Sequence, residues 1–238
     1  MRQPELHRWD VSQEEAVEIQ KRLRSQLDLQ SEPEKIETVA GIDVSYDKGS
    51  DWLFAAIVVL RLPDLQVINT ASTTTLVPFP YVPGLLSFRE CPAVLQAWEK
   101  LQLKPDCLMC DGQGIAHPRR LGIASHLGLW LDLPSIGCAK SLLVGSYQEP
   151  GEKRGSLTPL VHRKEQVGVV LRTKDRVAPV FVSQGHKISL NKAREIVLAC
   201  CRKYRLPEPT RQAHLLVNEL RRQAGTTEKI NPQPDLFS

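Results

Sequence analysis

Two aspartates in this 238-residue chain stand where strand-forming sequence gives them no obvious place. Asp43 lies inside Val39-Ala40-Gly41-Ile42-Asp43-Val44-Ser45. Alternation puts Ala40, Ile42 and Val44 on one face of that strand, and Gly41, Asp43 and Ser45 on the other. A carboxylate in mid-strand is disfavoured by propensity and costly to bury unpaired. It must be ion-paired, hydrogen-bonded or bound to a metal, and the residue alone leaves a salt bridge and a metal ligand equally open. Asp111 repeats the pattern at the end of Asp106-Cys107-Leu108-Met109-Cys110, with Gly112-Gln113-Gly114 behind it. Acids at the carboxyl ends of strands face the ligand crevice of open α/β sheets. An ordinary Asp-Gly turn is the plain alternative.

Glu90 and His214 each have a bland explanation. Ser87-Phe88-Arg89-Glu90 reads as a capping box, with the glutamate closing the first turn of a helix. His214 follows Thr210 near another helix start. As a set, however, three acids and a histidine on separate elements have the donor types that hard divalent cations take at phosphate sites.

The elements carrying these residues follow from periodicity. Ser12-x-x-Glu15 is a capping box, and Ala16, Ile19, Leu23 and Leu27 continue at helical spacing, which predicts a helix over 12–29. Three β-branched runs follow, Val39–Tyr46, Leu53–Leu62 and Val67–Val77, split by Asp47-Lys48-Gly49-Ser50 and Pro63-Asp64. Links this short predict an antiparallel meander. Alternation then sets in: helix Ser87–Leu103, strand Asp106–Asp111, helix Arg119–Leu131 and strand Pro134–Ala139. Residues 145–164, rich in Gly, Pro and charge, read as a long exposed loop. Strands Gln166–Leu171 and Ala178–Val182 and helices Ser189–Tyr204 and Thr210–Gln223 complete the pattern. This is an α/β layer with one mixed sheet flanked by helices. Residues 1–223 read as a single domain, and 224–238, polar with two prolines, as a disordered tail.

Composition narrows the setting. With 42% hydrophobic and 24% charged residues the chain has material for a sizeable core. No apolar run has the length of a membrane span and no signal-peptide core is present, so a cytoplasmic protein with no membrane partner is expected. Of the six cysteines, Cys107-x-x-Cys110 has zinc-like spacing but lacks a second pair, and its odd offset in a strand points the thiols to opposite faces. Reduced, buried thiols are expected. Charge is uneven: residues 1–150 carry 14 Lys/Arg against 19 Asp/Glu, and residues 151–238 carry 17 against 8. An acidic half able to hold cations, joined to a basic half, suits a phosphate backbone, and equally a fold kept soluble by a basic face.

The motifs occur in an order that resembles the endonuclease V family. They are Val39-Ala40-Gly41-Ile42-Asp43, Pro80-Tyr81-Val82-Pro83-Gly84, Phe88-Arg89-Glu90 and Asp111-Gly112-Gln113-Gly114, then His117-Pro118-Arg119, Ser125-His126-Leu127-Gly128 and Ile136-Gly137-Cys138-Ala139-Lys140-Ser141. The resemblance runs from about Gln13 to Arg222. It implies a ribonuclease H-like fold and nicking of DNA at deoxyinosine, with Mg2+ required and Mn2+ able to substitute. The implied cut is at the second phosphodiester bond on the 3′ side, leaving 3′-hydroxyl and 5′-phosphate ends. Asp43, Glu90, Asp111 and His214 are the implied metal ligands, with two cations roughly 3.5–4 Å apart. Lys140 would face the scissile phosphate or the attacking water.

Lesion recognition falls by the same resemblance to the loops. Tyr81, held between Pro80 and Pro83, would wedge into the duplex as the base leaves the stack. Gly84, Leu86, Gly112 and Ile123 would line the base pocket beside Pro83. His117 and His126 are left without a catalytic role. Isoleucine is common in the family where Val82 stands, a mild change.

Other readings stay on the table. A related nuclease acting on inosine-containing RNA, or on mismatched or branched DNA, fits the same metal site. In the tail, Gln233-Pro234-Asp235-Leu236-Phe237 resembles short peptides that dock on the DNA sliding clamp, with Gln233, Leu236 and Phe237 as the contacts; a tail without function is the alternative. A monomer is expected.

Overall fold

The computed structural model describes residues 5–46, 51–77 and 79–230, with side chains through Ala224. Its frame is an eight-stranded sheet in the order β3-β2-β1-β4-β5-β8-β7-β6. The strands are β1 (Thr38–Tyr46), β2 (Trp52–Arg61), β3 (Gln66–Leu76), β4 (Cys107–Cys110), β5 (Ser135–Ala139), β6 (Leu157–His162), β7 (Glu165–Leu171) and β8 (Val180–His186). The first three form the expected antiparallel meander. β4 and β5 join parallel to β1, because the helices α2 (Leu86–Glu99) and α3 (Ile123–Leu131) supply crossovers long enough to return the chain in the same direction. This is the ribonuclease H-like arrangement, extended beyond β5 by the antiparallel strands β8, β7 and β6.

Helices cover both faces. α2 and α3 bury Val94, Ala97 and Leu127 against Ala40, Ile42, Ala55 and Ile57. On the other face, α4 (Leu190–Cys200) packs Ile196 and Val197 against Val39, Met109 and Val182. Beside it, α5 (Glu208–Ile230) sets Ala213 and Val217 over Phe54, Ala56 and Val58. β2 is therefore buried at every position except its two ends, which is why it reads as a continuous apolar run. Each such Val, Leu or Ile contributes about 1.5–3 kcal/mol on leaving water. Cys107 and Cys110 do fall in the two opposite cores, and all six thiols are free and buried.

Several element bounds differ from expectation, for local reasons. The Ser12–Glu15 capping box forms, but α1 runs only Gln13–Arg24. Beyond it Gln26 and Leu27 donate to the carbonyls of Leu23 and Arg24 in tight three-residue turns, and the Asp28 carboxylate then accepts from the N–H groups of Gln30 and Ser31, so the helix does not continue to Leu27. α3 starts at Ile123 rather than near Arg119, since Arg120 takes a positive φ of 62°. The expected loop over 145–164 contains β6, an edge strand with little buried surface and with Pro159 in it, features that hide a strand in the sequence. β8 continues past Val182 to His186. α5 runs to Ile230, so residues 224–230 are helical backbone rather than the start of a disordered tail. The Asp47–Ser50 turn and the tail residues Gln233, Leu236 and Phe237 lie outside the described residues. Among those described, no helix is long and apolar enough to cross a membrane.

Candidate active site

Strand pairing brings the two unexplained aspartates together. Ile42 and Cys110 are register partners in the parallel β1–β4 pair, and the N–H of Asp111 donates to the carbonyl of Ile42 at 3.1 Å. Asp43, within β1, and Asp111, directly after β4, are thus neighbours where the parallel β1–β4 pairing ends, at the carboxyl end of β4, the side on which open α/β sheets form their crevice.

Helix α5 crosses this point along β1. A Cβ on Gly41 would sit 1.9 Å from the Pro209 carbonyl oxygen, so the absence of a side chain lets the start of α5 rest on the strand. From Gly41 to Asp43 the strand advances about 6.6 Å. From Thr210 to His214 the helix advances about 6 Å. The matched spacing delivers His214 to Asp43, with Nδ1 and Oδ2 2.7 Å apart. Two residues further along the strand, Arg221 on the same helix donates to the Ser45 hydroxyl at 3.1 Å. One donor atom each from Asp43, Asp111 and His214 lie within 4.8 Å of one another. The Asp43 side chain is only 10% exposed, and burial, reinforced by the charge of Asp111, pushes its carboxyl above the ordinary range.

Glu90 stands outside that 4.8 Å set but faces the same field. It does not cap a helix. The N-cap of α2 is Leu85 without a side-chain bond, and Ser87 lies inside the helix with its hydroxyl 2.9 Å from Nδ1 of His126. Burial first, and then the charges of Asp43 and Asp111, push the Glu90 carboxyl up to about 8. Among the described residues it has no hydrogen-bond or ion-pair partner. Lys140, directly after β5, donates to the Asp111 carboxylate. Three carboxyl groups thus converge on one ammonium and a half-exposed imidazole, an uncompensated negative charge. Oxygen donors with one nitrogen fit a hard divalent cation at Asp43, Asp111, His214 and Glu90.

Next to this cluster opens a cavity of about 360 Å³. Tyr81, Pro83, Gly84, Leu86, Gly112 and Ile123 all line it, together with Asp111 and Lys140 of the acidic cluster. Tyr81 is 61% exposed at its rim. The Gly84 turn, with φ of 79°, is pinned by three donors to its carbonyl: Gln20 Nε2 at 3.0 Å, His117 Nε2 at 3.1 Å and Arg119 Nη2 at 2.6 Å. His117 therefore holds the pocket wall. His126 is fully buried, stacked among His7, Trp9 and Phe88. Sequence reasoning missed Gln20, Arg119 and the lining leucines Leu142 and Leu143. Arg119 stands inside His117-Pro118-Arg119, and Leu142 and Leu143 directly follow Lys140-Ser141, so these signals lay at or beside motifs already singled out.

Residues 20–215 match the family model described as Endonuclease V, four-fifths of the chain. This chain belongs to the endonuclease V family. It is 53% identical to the endonuclease V of Myxococcus xanthus over 229 residues, covering 96% of this chain and 97% of that protein. The crystal structure of endonuclease V from Streptomyces avermitilis superposes with a TM-score of 0.88 at 45% identity, covering 91% of this chain and 96% of that one. Ciona intestinalis endonuclease V, solved in complex with a 24mer DNA containing an inosine followed by a ribo-adenosine, has a TM-score of 0.77 at 28% identity, over 89% and 98% of the two chains. As an endonuclease V the chain is a nuclease.

Proposed function

We propose that this endonuclease V nicks DNA at deoxyinosine, hydrolysing the second phosphodiester bond 3′ to the lesion and leaving 3′-hydroxyl and 5′-phosphate ends. One observation carries the reading: Asp111 and Lys140 belong both to the acidic cluster and to the wall of the base-sized cavity. A base held in the cavity thus brings its own 3′ phosphates toward the carboxylates. The Ciona intestinalis complex with inosine-containing DNA supports the choice of base.

Asp43, Glu90, Asp111 and His214 would hold Mg2+, with Mn2+ able to substitute, as a two-cation site. Bound there, the cations supply Lewis acidity toward the phosphate and lower the pKa of an attacking water. The chain supplies the rest. Lys140 brings a positive charge to the edge of the cluster nearest the cavity, where it meets phosphate. Tyr81, held by its flanking prolines and already in solvent, fills the gap left by an extruded base at small entropic cost. Gly84 and Gly112 let backbone groups approach the base edge. Every element of the site comes from one chain, so a monomer suffices.

The ribo-adenosine in the Ciona intestinalis complex favours a second reading, cleavage of inosine-containing RNA. Matched DNA and RNA strands with one inosine, each beside its adenine counterpart, test both. Cleavage of the inosine DNA alone supports the first reading and of the inosine RNA alone the second; equal cleavage of the adenine strands rejects both. The proposal extends to a sliding-clamp partner for Gln233–Phe237, and clamp binding unchanged by deletion of 233–238 would end that part.

A further inference from the structure

The ladder between β5 and β8 stops one residue before Lys140. Ala139 pairs with Phe181, Val180 opens β8, and Pro179 has no N–H to continue the pairing. The ladder leaves the carbonyls of Lys140, which lines the cavity, and Pro179 unpaired, and one nitrogen serves both. Arg205 Nη2 donates to Lys140 at 2.9 Å and to Pro179 at 2.8 Å. Arg205 is itself anchored, because its carbonyl accepts from the Thr173 hydroxyl at 2.6 Å and Thr173 is 2% exposed. It stands in the link between α4 and α5, three residues before the helix that carries His214 begins.

We infer that Arg205 is a positioning residue for catalysis, acting through Lys140; the inference rests on the role proposed above for Lys140. A lysine head rides on a flexible four-carbon stem, so where its ammonium goes depends on how firmly the stem's base is held. Two charge-assisted bonds from one guanidinium fix that base against the neighbouring strand. Reaching both carbonyls leaves Arg205 Nε buried without a partner. Gln113 Nε2, donating to the Ser141 carbonyl at 3.1 Å, holds the next peptide from the other side. The Lys140 ammonium is thereby presented to Asp111. The same contact ties the Lys140 peptide to the segment leading into α5, the helix that carries His214.

A double-mutant cycle tests this, with steady-state nicking of a single-inosine duplex in Mg2+ by wild type, Arg205→Ala, Lys140→Ala and the double variant. Arg205→Ala is expected to lower kcat about tenfold with KM nearly unchanged, the cost of misplacing a catalytic group. On the Lys140→Ala background the same change is expected to cost less than about twofold, because the two residues act as one unit. Arg205→Lys, which keeps the charge and reaches one carbonyl, should recover part of the loss. Thermal unfolding of each variant identifies the folded ones, and if Arg205→Ala does not fold, Arg205→Lys carries the same cycle. Equal fold-losses on both backgrounds overturn the inference, and so does a rise in KM with kcat intact. Full activity of Lys140→Ala instead removes the proposed role of Lys140, and the positioning role falls with it.

Discussion

His214 on the last helix meets Asp43 on the first strand with Nδ1 2.7 Å from Oδ2, across 171 residues of sequence. The side-chain amide of Asn218 lies 2.9 Å from Nε2 of the same ring. With the amide oxygen turned to the ring, Nε2 carries the proton and Nδ1 keeps its lone pair free to hold a cation beside Asp43.

This pairing makes Asn218 the residue that sets the state of His214. Partners of this kind typically cost about 10–100-fold in metal affinity or activity when removed. Asn218→Ala is expected to fall in that range and His214→Ala to lose at least as much, read as kcat and as Mn2+ affinity. Wild-type values in both variants would take His214 out of the site.

Gly41 is where the seat of α5 is tested. Gly41→Ala drives a methyl into the Pro209 carbonyl, which backbone cannot evade as a side chain would. Overpacking of this kind costs about 1–3 kcal/mol. Denaturant unfolding should show that loss, and nicking should fall with it because His214 lifts away from Asp43. Wild-type stability would mean that α5 does not rest on β1 at this point.

Tyr81 separates folding from recognition. Its side chain is largely in solvent, so Tyr81→Ala should change stability by no more than about 0.5 kcal/mol. Loss of base stacking, worth about 1–3 kcal/mol, should weaken binding to inosine duplex about tenfold or more. Binding to the adenine duplex and to Mn2+ should stay level. An unchanged preference for inosine DNA would remove the wedge role.

Acid sensitivity follows from His117. Burial and the nearby Arg119 charge push its pKa from 6.5 down to about 4, while Nδ1 accepts from the Arg119 N–H. Above pH 6.5 the ring is neutral in both folded and unfolded chains. As pH falls from 6.5 toward 4 the unfolded chain gains the proton first, so stability drops, by up to about 3 kcal/mol from this group. Glu90, raised to about 8, works with the opposite sign, favouring the folded state as pH falls from 8 toward its ordinary value. The difference between wild type and His117→Gln in urea unfolding isolates the histidine. It should shrink as pH falls through this window; a pH-independent difference would contradict the assignment.

Asp43 and Asp111 were legible in the sequence because an acid in an apolar strand breaks a pattern. That they are neighbours was not, since strand pairing is a long-range fact. Glu90 by itself reads as a cap, and only the set of acids and the family resemblance make it a ligand: Ser-x-x-Glu looks the same whether the serine bonds backbone or, as here, His126. β6 escaped notice because an edge strand has little apolar face to show and Pro159 argued against it. Arg205, Asn218 and Gln20 were invisible for another reason. They are ordinary polar residues whose meaning lies in their partners: 65 residues away for Arg205 and 64 for Gln20, and for Asn218 one turn back at His214, which matters only through Asp43, 171 residues away. The expected meander and alternation, by contrast, came through because apolar periodicity is local.

The central claim is that the Asp43 cluster cuts the strand held by the neighbouring cavity. Nicking of a single-inosine duplex, with and without Mg2+, by wild type and Asp43→Ala tests it most directly. Wild type should cut only with the cation and only the inosine duplex, and Asp43→Ala should lose about a thousandfold, equivalent to roughly 4 kcal/mol of transition-state stabilisation. Equal cutting by a folded Asp43→Ala protein would contradict the account.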